Sequence, residues 1–322
     1  MGGKSATNLI EVSEDPSVLE DGEFWAVSTS FEGKNTFSRF KDVVEKEFVA
    51  PAWAKASGSW SSSLSKESYE AYVEAIRSEI ENGSVYQVNA CRRLSINGVH
   101  QSLAGLFADL QKNNPSPFAA YLSLPDLEIA SASPELFLQR QGRDLKTSPI
   151  KGTQSLDHVI FGQKDQSENI MIVDLMRNDL GRICESGSVE VSELLRSEEH
   201  PGLRHLVSDV VGKLSSNVNW KQILSELSPA GSVSGAPKLS ALKCISRNEP
   251  VARGSYCGLL GWVQGDQAML SVAIRTFWKA GDGVLNFGTG AGITWASDAS
   301  SEWEETQLKA RKLISIAGGE LS

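Results

Sequence analysis

Residues 258–264, GLLGWVQ, and residues 267–278, QAMLSVAIRTFW, are two apolar stretches separated only by Gly265 and Asp266. Both stretches contain β-branched and aromatic residues, and a Gly-Asp pair between two such stretches is typical of a β-hairpin. Because a two-residue turn joins antiparallel neighbours, these residues predict an antiparallel sheet in which 267–278 is one continuous strand.

Helices and further strands are predicted on both sides of this hairpin. A helix begins near Ser65, where apolar residues recur at helical spacing until Asn82-Gly83 supply a stop. Ser234 and Ser301 are the expected N-caps of two later helices. The other predicted strands lie at 84–96, 118–124, 128–140, 187–191, 205–214 and 284–293, and the other helices at 101–113, 164–182, 219–227, 234–247 and from 300 onward. Strand meanders between helices, without strict βαβ alternation, predict an α+β fold with antiparallel sheets.

The first 64 residues are weakly patterned and run into the polar stretch SGSWSSSLS at 57–65. We interpret that stretch as a linker or loop. Two parts are therefore expected, a short N-terminal segment with its linker over 1–64 and a main domain over 65–318. The start of the chain lacks the apolar core of a secretory signal.

The composition is that of an ordinary globular protein and argues against several classes of function. The 322 residues are 40% hydrophobic and 22% charged, with a net charge of −9. An acidic chain repels a phosphate backbone, so we expect no nucleic-acid partner. No apolar stretch approaches the roughly 20 residues of a membrane helix, so we expect no membrane partner. The four scattered cysteines form no C-x-x-C pair, which argues against zinc and favours a reduced, cytoplasmic setting.

Two pairs of acidic residues have the spacing of neighbours on one helix face. Asp165 and Glu168 lie three residues apart, as do Glu302 and Glu305, and Lys309 follows four residues later. Two such pairs facing one another would form an all-oxygen site suited to Mg²⁺. Taken alone, each pair is more readily explained as a solvated face whose acids favour the helix dipole.

Three single residues also allow a structural or a functional interpretation. Lys151 stands in SPIKGT (148–153) between a rigid Pro-Ile pair and a permissive Gly-Thr pair, where a solvated turn is the simpler explanation. Arg275 lies in an apolar stretch, where it needs a structural ion pair or a carboxylate ligand. His205 opens a predicted strand, a position where histidine is more often structural.

The glycine-rich stretch GTGAGI (288–293) follows a predicted strand. Gly290 and Gly292 would let backbone N–H groups approach an anion without interference from a side chain. The G-x-G-x-x-G spacing and the following helix of a Rossmann site are both missing, so a small carboxylate is a better candidate ligand than a dinucleotide.

Taken in order, the sequence blocks resemble the chorismate-utilising enzymes, a family that includes anthranilate, aminodeoxychorismate, isochorismate and salicylate synthases. The resemblance runs from about residue 65 to residue 316. It rests on VYQVN, SASPELF, PIKGT, ENIMIVDLMRNDLGR, RHLVSDVVG, GSVSGAPK, YCGLLGW, AIRT, GTGAGI and EWEETQLKARKL. It implies a fold in which antiparallel sheets form a core sandwich flanked by helices, and it makes 65–318 a chorismate-binding catalytic domain.

Within this family, the residue before Gly-Thr separates two chemistries. Anthranilate synthases typically carry alanine there, whereas aminodeoxychorismate synthases carry lysine, as this chain does at Lys151. The resemblance therefore implies Mg²⁺-dependent amination of chorismate at C4 with ammonia, a step towards para-aminobenzoate and folate. It makes Lys151 the nucleophile of a covalent adduct, Glu135 the proton donor and acceptor, and His205 a neighbour of the departing hydroxyl. A nucleophilic lysine must be neutral, so its pKa should be lowered.

The resemblance also assigns the groups that hold the chorismate dianion. It implies that Glu168 and Glu305 bind Mg²⁺, which binds one substrate carboxylate, while Asp165 and Glu302 act on the metal through water. The remaining predicted substrate-binding residues are Gly152, Thr153, Tyr256, Arg275, Gly290, Ala291, Gly292 and Lys309.

A partner and two competing functions complete the expectations. The resemblance implies that ammonia comes from a separate glutamine amidotransferase subunit, because no Cys-His-Glu amidotransferase domain is recognisable in the chain. The nearest alternative is the large subunit of an anthranilate synthase, and a non-enzymatic alternative is a scaffold that docks an amidotransferase.

Two segments are short for the family. They are the N-terminal part, where the family usually holds tryptophan, and residues 153–165. We therefore expect a truncated N-terminal subdomain without a reliable tryptophan site.

Overall fold

The computed structural model describes residues 1–155, 161–200 and 203–321. Its strands are β1 (Lys4–Ser13), β2 (Phe24–Thr29), β3 (Asn35–Glu45), β4 (Ala56–Ser62), β5 (Gln87–Ile96), β6 (Phe118–Leu124), β7 (Leu127–Ser133), β8 (Leu136–Gln141), β9 (Asp144–Ser148), β10 (Ile150–Ser155), β11 (Glu190–His200), β12 (Leu203–Lys213), β13 (Gly235–Ala236), β14 (Leu259–Gln264), β15 (Gln267–Val272), β16 (Thr276–Lys279), β17 (Leu285–Ile293) and β18 (Gly318–Leu321).

The helices of these residues are α1 (Lys66–Glu81), α2 (Ala104–Asn113), α3 (Gln163–Gly181), α4 (Trp220–Leu227), α5 (Gly231–Ser234), α6 (Lys238–Asn248) and α7 (Ala299–Ala317), with a 3-10 helix at Pro16–Glu20. In the described part of the chain, no helix has the length and apolar character needed to cross a membrane.

The described strands form two sheets. The ten-stranded sheet has the order β1-β3-β2-β14-β15-β8-β9-β12-β10, with β11 also on β12. The eight-stranded sheet has the order β18-β4-β5-β17-β16-β7-β6, with β13 also on β5. Strand β18 runs parallel to β4, and the other pairs of named strands are antiparallel. This confirms the predicted α+β fold with antiparallel sheets.

The main hydrophobic core lies between the two sheets and draws side chains from both. Leu270 of the ten-stranded sheet shares one buried cluster with Ile129 and Trp278 of the eight-stranded sheet. Because successive side chains of a strand point to opposite faces, the neighbours Ala130 and Phe277 belong to a second cluster beneath α2 and α7. The predicted sandwich flanked by helices is therefore present.

Two of the predicted N-caps are wrong. Helix α6 begins after Pro237, and Ser234 lies in α5, where its hydroxyl donates to the carbonyl of Ala230. Helix α7 is capped by Asp298, whose carboxylate accepts the N–H of Ser301 at 2.9 Å. In both cases a capping-type residue is present in the sequence, but the chain enters the helix elsewhere.

The predicted linker at 57–65 is also wrong, because Ala56–Ser62 is strand β4. Trp60 is 1% exposed in this strand, and its indole N–H donates to the carbonyl of Gly318 at 2.8 Å. The surrounding serines face outward, so the sequence shows a polar run although one large side chain anchors the strand. Strand β2 likewise pairs with β14, inside the ten-stranded sheet. The division into 1–64 and 65–318 remains a prediction.

The chain crosses between the two sheets at two adjacent places. Residues 267–278 are not one strand, because β15 ends in one sheet, β16 begins in the other, and Arg275 between them has a φ of 52°. A second crossing joins β7 to β8 at Glu135. The crossings are held together by hydrogen bonds of 3.1 Å from Val272 N–H to the Glu135 carbonyl and from Ala132 N–H to the Arg275 carbonyl. The fold thereby brings Glu135 and Arg275 side by side.

Candidate active site

The paired crossings hold a buried carboxylate beside a partly buried guanidinium. Glu135 is 4% exposed, and burial raises its pKa to about 7, although a hydrogen bond with Ser232 and the charges of Lys151 and Arg275 oppose the rise. Burial lowers the pKa of Arg275 to about 10, against the opposing charge of Glu135. Among the described residues the Arg275 guanidinium makes no hydrogen bond or ion pair, which favours a ligand carboxylate over a structural partner.

Lys151 lies in a β-bulge of β10. Ile150 and Thr153 pair with residues that are only two apart on β12, so β10 carries one extra residue at this point. Gly152 accommodates the bulge with a φ of 80°, a conformation that glycine adopts without strain. The Lys151 amine donates to the backbone carbonyl of Ser232 at 3.1 Å. The segment SPIKGT (148–153) thus contains a bulge that directs the Lys151 amine towards α5.

The Lys151 amine is withdrawn from water among charged groups. Desolvation lowers its pKa, and the carboxylates of Glu168, Glu135 and Glu305 oppose this effect, while the charge of Lys309 adds to it. Four of the predicted site residues are therefore within electrostatic reach of the amine, although they come from three separate parts of the chain. The direction of the shift is the one that a nucleophilic lysine requires.

His205 and Thr153 are brought opposite one another by the pairing of β10 with β12. His205 is 1% exposed, so it lies inside the fold next to the strand that carries Lys151. Both predicted residues thus lie on the two paired strands β10 and β12, and β10 also carries Lys151.

The glycines of β17 present a surface without side chains to this region. A Cβ atom on Gly292 would lie 2.4 Å from the Gln87 amide nitrogen and 3.6 Å from the Lys151 amine. A Cβ atom on Gly288 would lie 2.0 Å from the Tyr256 ring. These glycines are four residues apart on one strand, so they are separated from each other by roughly 13 Å. The role of Tyr256 in binding substrate stays a prediction.

Among the described residues, no strand pairs with one edge of β17 beside the glycines. Strand β16 pairs with β17 only at residues 286 and 287, and the Cys91 N–H opposite Gly290 donates to a carboxylate outside the ladder. The peptide groups of Gly290 therefore face away from β5, and its carbonyl accepts a hydrogen bond of 3.0 Å from Lys309. By strand alternation the N–H groups of Gly290 and Gly292 face the open edge, whereas that of Ala291 faces β5.

Ser232 and Gln87 also belong to the site, although the sequence did not predict them. Ser232 links the Lys151 amine to the Glu135 carboxylate. Its backbone carbonyl accepts a hydrogen bond from the amine, and its side chain forms a hydrogen bond with the carboxylate. Gln87 is 2% exposed, and its amide has no hydrogen-bond partner among the described residues. Both residues stand in quoted sequence blocks, GSVSGAPK and VYQVN, but their own residue types carried no chemical signal.

Replacing Gly292 by alanine should reduce kcat/KM for the substrate by about 10- to 100-fold with little change in melting temperature. The new methyl group would displace the Gln87 amide and narrow the space in front of Lys151. Steady-state kinetics and thermal unfolding measure the two quantities. The matched change Gly181→Ala, at an open helical position, should leave kcat/KM unchanged. Equal losses in both variants would contradict the placement of Gly292.

The two carboxylates predicted to bind magnesium lie in one charged region around Lys151. Glu168 and Glu305 both act on the Lys151 amine, and Glu305 also pairs with Lys309 at 2.6 Å. Within the described residues there is no group of three or more acidic, histidine or cysteine side chains placed to hold a metal. Mg²⁺ is commonly bound by one or two carboxylates, with substrate oxygens and water completing the shell. The donor set is therefore suitable, although incomplete without substrate.

Asp165 and Glu302 stand at the border of this acidic region. A Cβ atom on Gly152 would lie 3.0 Å from the Asp165 side chain, so Asp165 packs against the bulge. Glu302 is 3% exposed and accepts a hydrogen bond of 2.6 Å from the hydroxyl of Ser297. Their action on a metal through water stays a prediction. Part of the short segment 153–165, residues 156–160, lies outside the described residues.

The chain is similar to a known family of enzymes and to individual members of it. Residues 17–315 match the family of chorismate binding enzymes. The chain is 34% identical over 272 residues to aminodeoxychorismate synthase component 1 of Bacillus subtilis, which covers 80% of this chain and 57% of that protein. It is 35% identical over 268 residues to anthranilate synthase component 1 of Neisseria meningitidis serogroup C, covering 80% and 54%. The chain thus spans less than two thirds of the length of these curated relatives.

A solved structure gives the same result for the fold. The crystal structure of anthranilate synthase component I from Streptococcus pneumoniae matches with a TM-score of 0.78 at 26% identity, covering 97% of this chain and 80% of that one. Enzymes that form two different products are therefore similar to this chain to nearly the same degree.

Proposed function

The chain belongs to the chorismate binding enzymes, and on that premise we propose that it aminates chorismate at C4 with ammonia to give 4-amino-4-deoxychorismate. The observation that carries the proposal is the Lys151 amine, which lies in a bulge beside Glu135 and has a lowered pKa. An anthranilate synthase needs no amine at this position, so Lys151 favours C4 amination over anthranilate formation.

Two displacements at the ring exchange the hydroxyl for ammonia. The uncharged Lys151 amine attacks C2, the ring double bonds shift, and the C4 hydroxyl leaves as water after taking a proton from Glu135. Ammonia then attacks C4, the double bonds shift back, and the C2–nitrogen bond breaks to release the lysine amine. The Glu135 carboxylate takes up the proton that the incoming ammonia loses, so the enzyme returns to its starting state.

Each charged group of the site has a defined role in this reaction. Burial keeps a proton on Glu135 near neutral pH, as a general acid requires. Arg275 and the amides of Gly290 and Gly292, which have no hydrogen-bond partner among the described residues, would hold a substrate carboxylate. His205 lies on the strand that pairs with the strand of Lys151, and its proposed role is to contact the departing hydroxyl.

Mg²⁺ bound by Glu168 and Glu305 would neutralise and orient the second carboxylate of chorismate. Without such a cation, the two glutamates would repel a dianionic substrate. The chain's own cations near the site, Arg275 and Lys309, would be left to hold the substrate.

A separate glutamine amidotransferase is the proposed source of ammonia, in a cytoplasmic setting. The relatives named above are each called component 1, which supports a second subunit. The chain alone should use ammonium salts but not glutamine, and addition of an amidotransferase subunit should confer glutamine-dependent turnover.

Product analysis tests the proposal. Purified protein with Mg²⁺, ammonium and chorismate should form 4-amino-4-deoxychorismate, identified by liquid chromatography and mass spectrometry. Direct formation of anthranilate would reject C4 amination, and no consumption of chorismate would favour a docking scaffold.

The pH dependence of kcat/KM should be bell-shaped, with one limb near pH 7. Turnover needs a proton on Glu135, whose pKa is about 7, and no proton on Lys151, whose pKa is lowered. The rate is proportional to the fraction of protein in which Glu135 is protonated and Lys151 is not. That fraction has its maximum between the two apparent pKa values. A rate profile that is flat between about pH 5.5 and about pH 9 would contradict these roles.

A further inference from the structure

We propose that Asn169 and Ser208 form a positioning pair, which keeps the acidic face of α3, His205 and Lys151 in one fixed register. The inference rests on the proposed function, because it concerns the same site. Neither residue is assigned a role by the sequence blocks or by the chemistry described above.

The pair is completely buried and its hydrogen bonds are satisfied. Asn169 and Ser208 are both 0% exposed. The Ser208 hydroxyl donates to the Asn169 side-chain oxygen at 2.5 Å, and the Asn169 amide donates to the Leu206 carbonyl at 3.1 Å. The same hydroxyl accepts the N–H of Leu195 at 2.9 Å. One amide and one hydroxyl thus join α3, β12 and β11.

Each end of the pair is next to a site residue in the chain. Asn169 follows Glu168 on α3, and Leu206 follows His205 on β12. The Ser208 N–H donates to the carbonyl of residue 149 at 3.3 Å, two residues before Lys151. A rotation of α3 or a shift along β12 would break these bonds and move Glu168 or His205 at the same time.

An asparagine is unusual at this point of α3, because the residues one turn further along the same face are apolar. Ile172 and Val173 are 0% and 3% exposed and belong to the main core. A buried amide must be fully bonded to avoid a large desolvation cost, so it tolerates only one arrangement of its neighbours. An aliphatic side chain would pack here without specifying the rotation of the helix. The amide therefore fixes the rotation of α3 against β12, which burial of an aliphatic side chain would not do.

The structure offers a matched control pair far from the site. The Ser95 hydroxyl donates to the Asn286 side-chain oxygen at 2.8 Å, and the Asn286 amide donates to the Val284 carbonyl at 3.1 Å. Asn286 is 9% exposed and lies at the end of β17 opposite to Gly292. Both pairs have the same hydroxyl-to-amide hydrogen bond, but the control pair is less buried, with Ser95 partly exposed, and lies farther from Lys151.

The test compares Asn169→Leu and Ser208→Ala with Asn286→Leu and Ser95→Ala. Thermal unfolding, kcat and KM for chorismate, and affinity for Mn²⁺ by electron paramagnetic resonance are measured for each variant. We expect a loss of melting temperature in both sets, and a smaller one in the less buried control set. Only the Asn169 and Ser208 variants should lose about 10- to 100-fold in kcat and in Mn²⁺ affinity. The double variant should be little worse than either single one, because both changes break the same unit.

Ser208→Thr retains a hydroxyl and should recover most of the kcat that Ser208→Ala loses. Losses of kcat and Mn²⁺ affinity no larger than in the control set would overturn the positioning role. Should Asn169→Leu fail to fold, Ser208→Ala decides the question because it removes only one hydroxyl. If the unmodified protein consumes no chorismate, the proposed function fails, and the Mn²⁺ comparison still decides the positioning pair.

Discussion

Lys151→Ala should abolish formation of 4-amino-4-deoxychorismate, with kcat reduced on the order of 10³-fold or more. The variant has no amine to form the C2 adduct, and direct attack by ammonia at C4 must expel a poor leaving group without that intermediate. Added ammonium should therefore not restore the product at any concentration. Product is measured by mass spectrometry at low and high ammonium, alongside any anthranilate formed.

Lys146→Ala is the matched control for this change. Lys146 lies five residues earlier, on β9, and its amine pairs with Asp209 at 2.7 Å rather than facing Glu135. We expect it to keep wild-type turnover within about threefold. Full retention of the product rate in Lys151→Ala would refute covalent chemistry at this residue.

Glu135→Gln should reduce kcat by about 10²- to 10⁴-fold while the protein remains folded. Glutamine keeps the shape of the side chain but has no acidic proton to give to the departing hydroxyl. The limb of the pH profile near pH 7 should vanish together with the rate, because it belongs to this carboxyl. The measurement is kcat/KM across pH for both proteins.

Glu128→Gln separates this effect from the general cost of changing a buried acid. Glu128 is 8% exposed and pairs with Lys279 at 3.1 Å, and hydrogen-bond donors hold its pKa below the usual range despite burial. Its loss should lower the melting temperature and leave the pH profile unchanged. An unaltered limb near pH 7 in Glu135→Gln would show that another group titrates there.

The sequence predicted the elements of the fold better than their connections. The strand pattern around Gly265 indicated an antiparallel sheet, and the hairpin is present. The same pattern ran unbroken through Arg275, because strand propensity does not show where a chain leaves one sheet for another. The crossing depends on a positive φ and on the neighbouring crossing at Glu135, which is distant in sequence.

The candidate site shows the same limit. Lys151 and Glu135 were identified from their sequence blocks, but the bulge that turns Lys151 inward requires β12, more than fifty residues later. Asn169 reads as one more polar residue in a helix, and only the packing of α3 on β12 reveals its amide as buried. Residues whose role is set by pairing across the fold carry no local signal.

The most direct measurement is the mass of the peptide containing Lys151 after rapid quenching of the wild-type protein with Mg²⁺ and chorismate but no ammonium. The account predicts a lysine modified by the mass of chorismate less one water, and loss of that modification once ammonium is added. An unmodified Lys151 in a protein that converts chorismate on addition of ammonium would contradict the account.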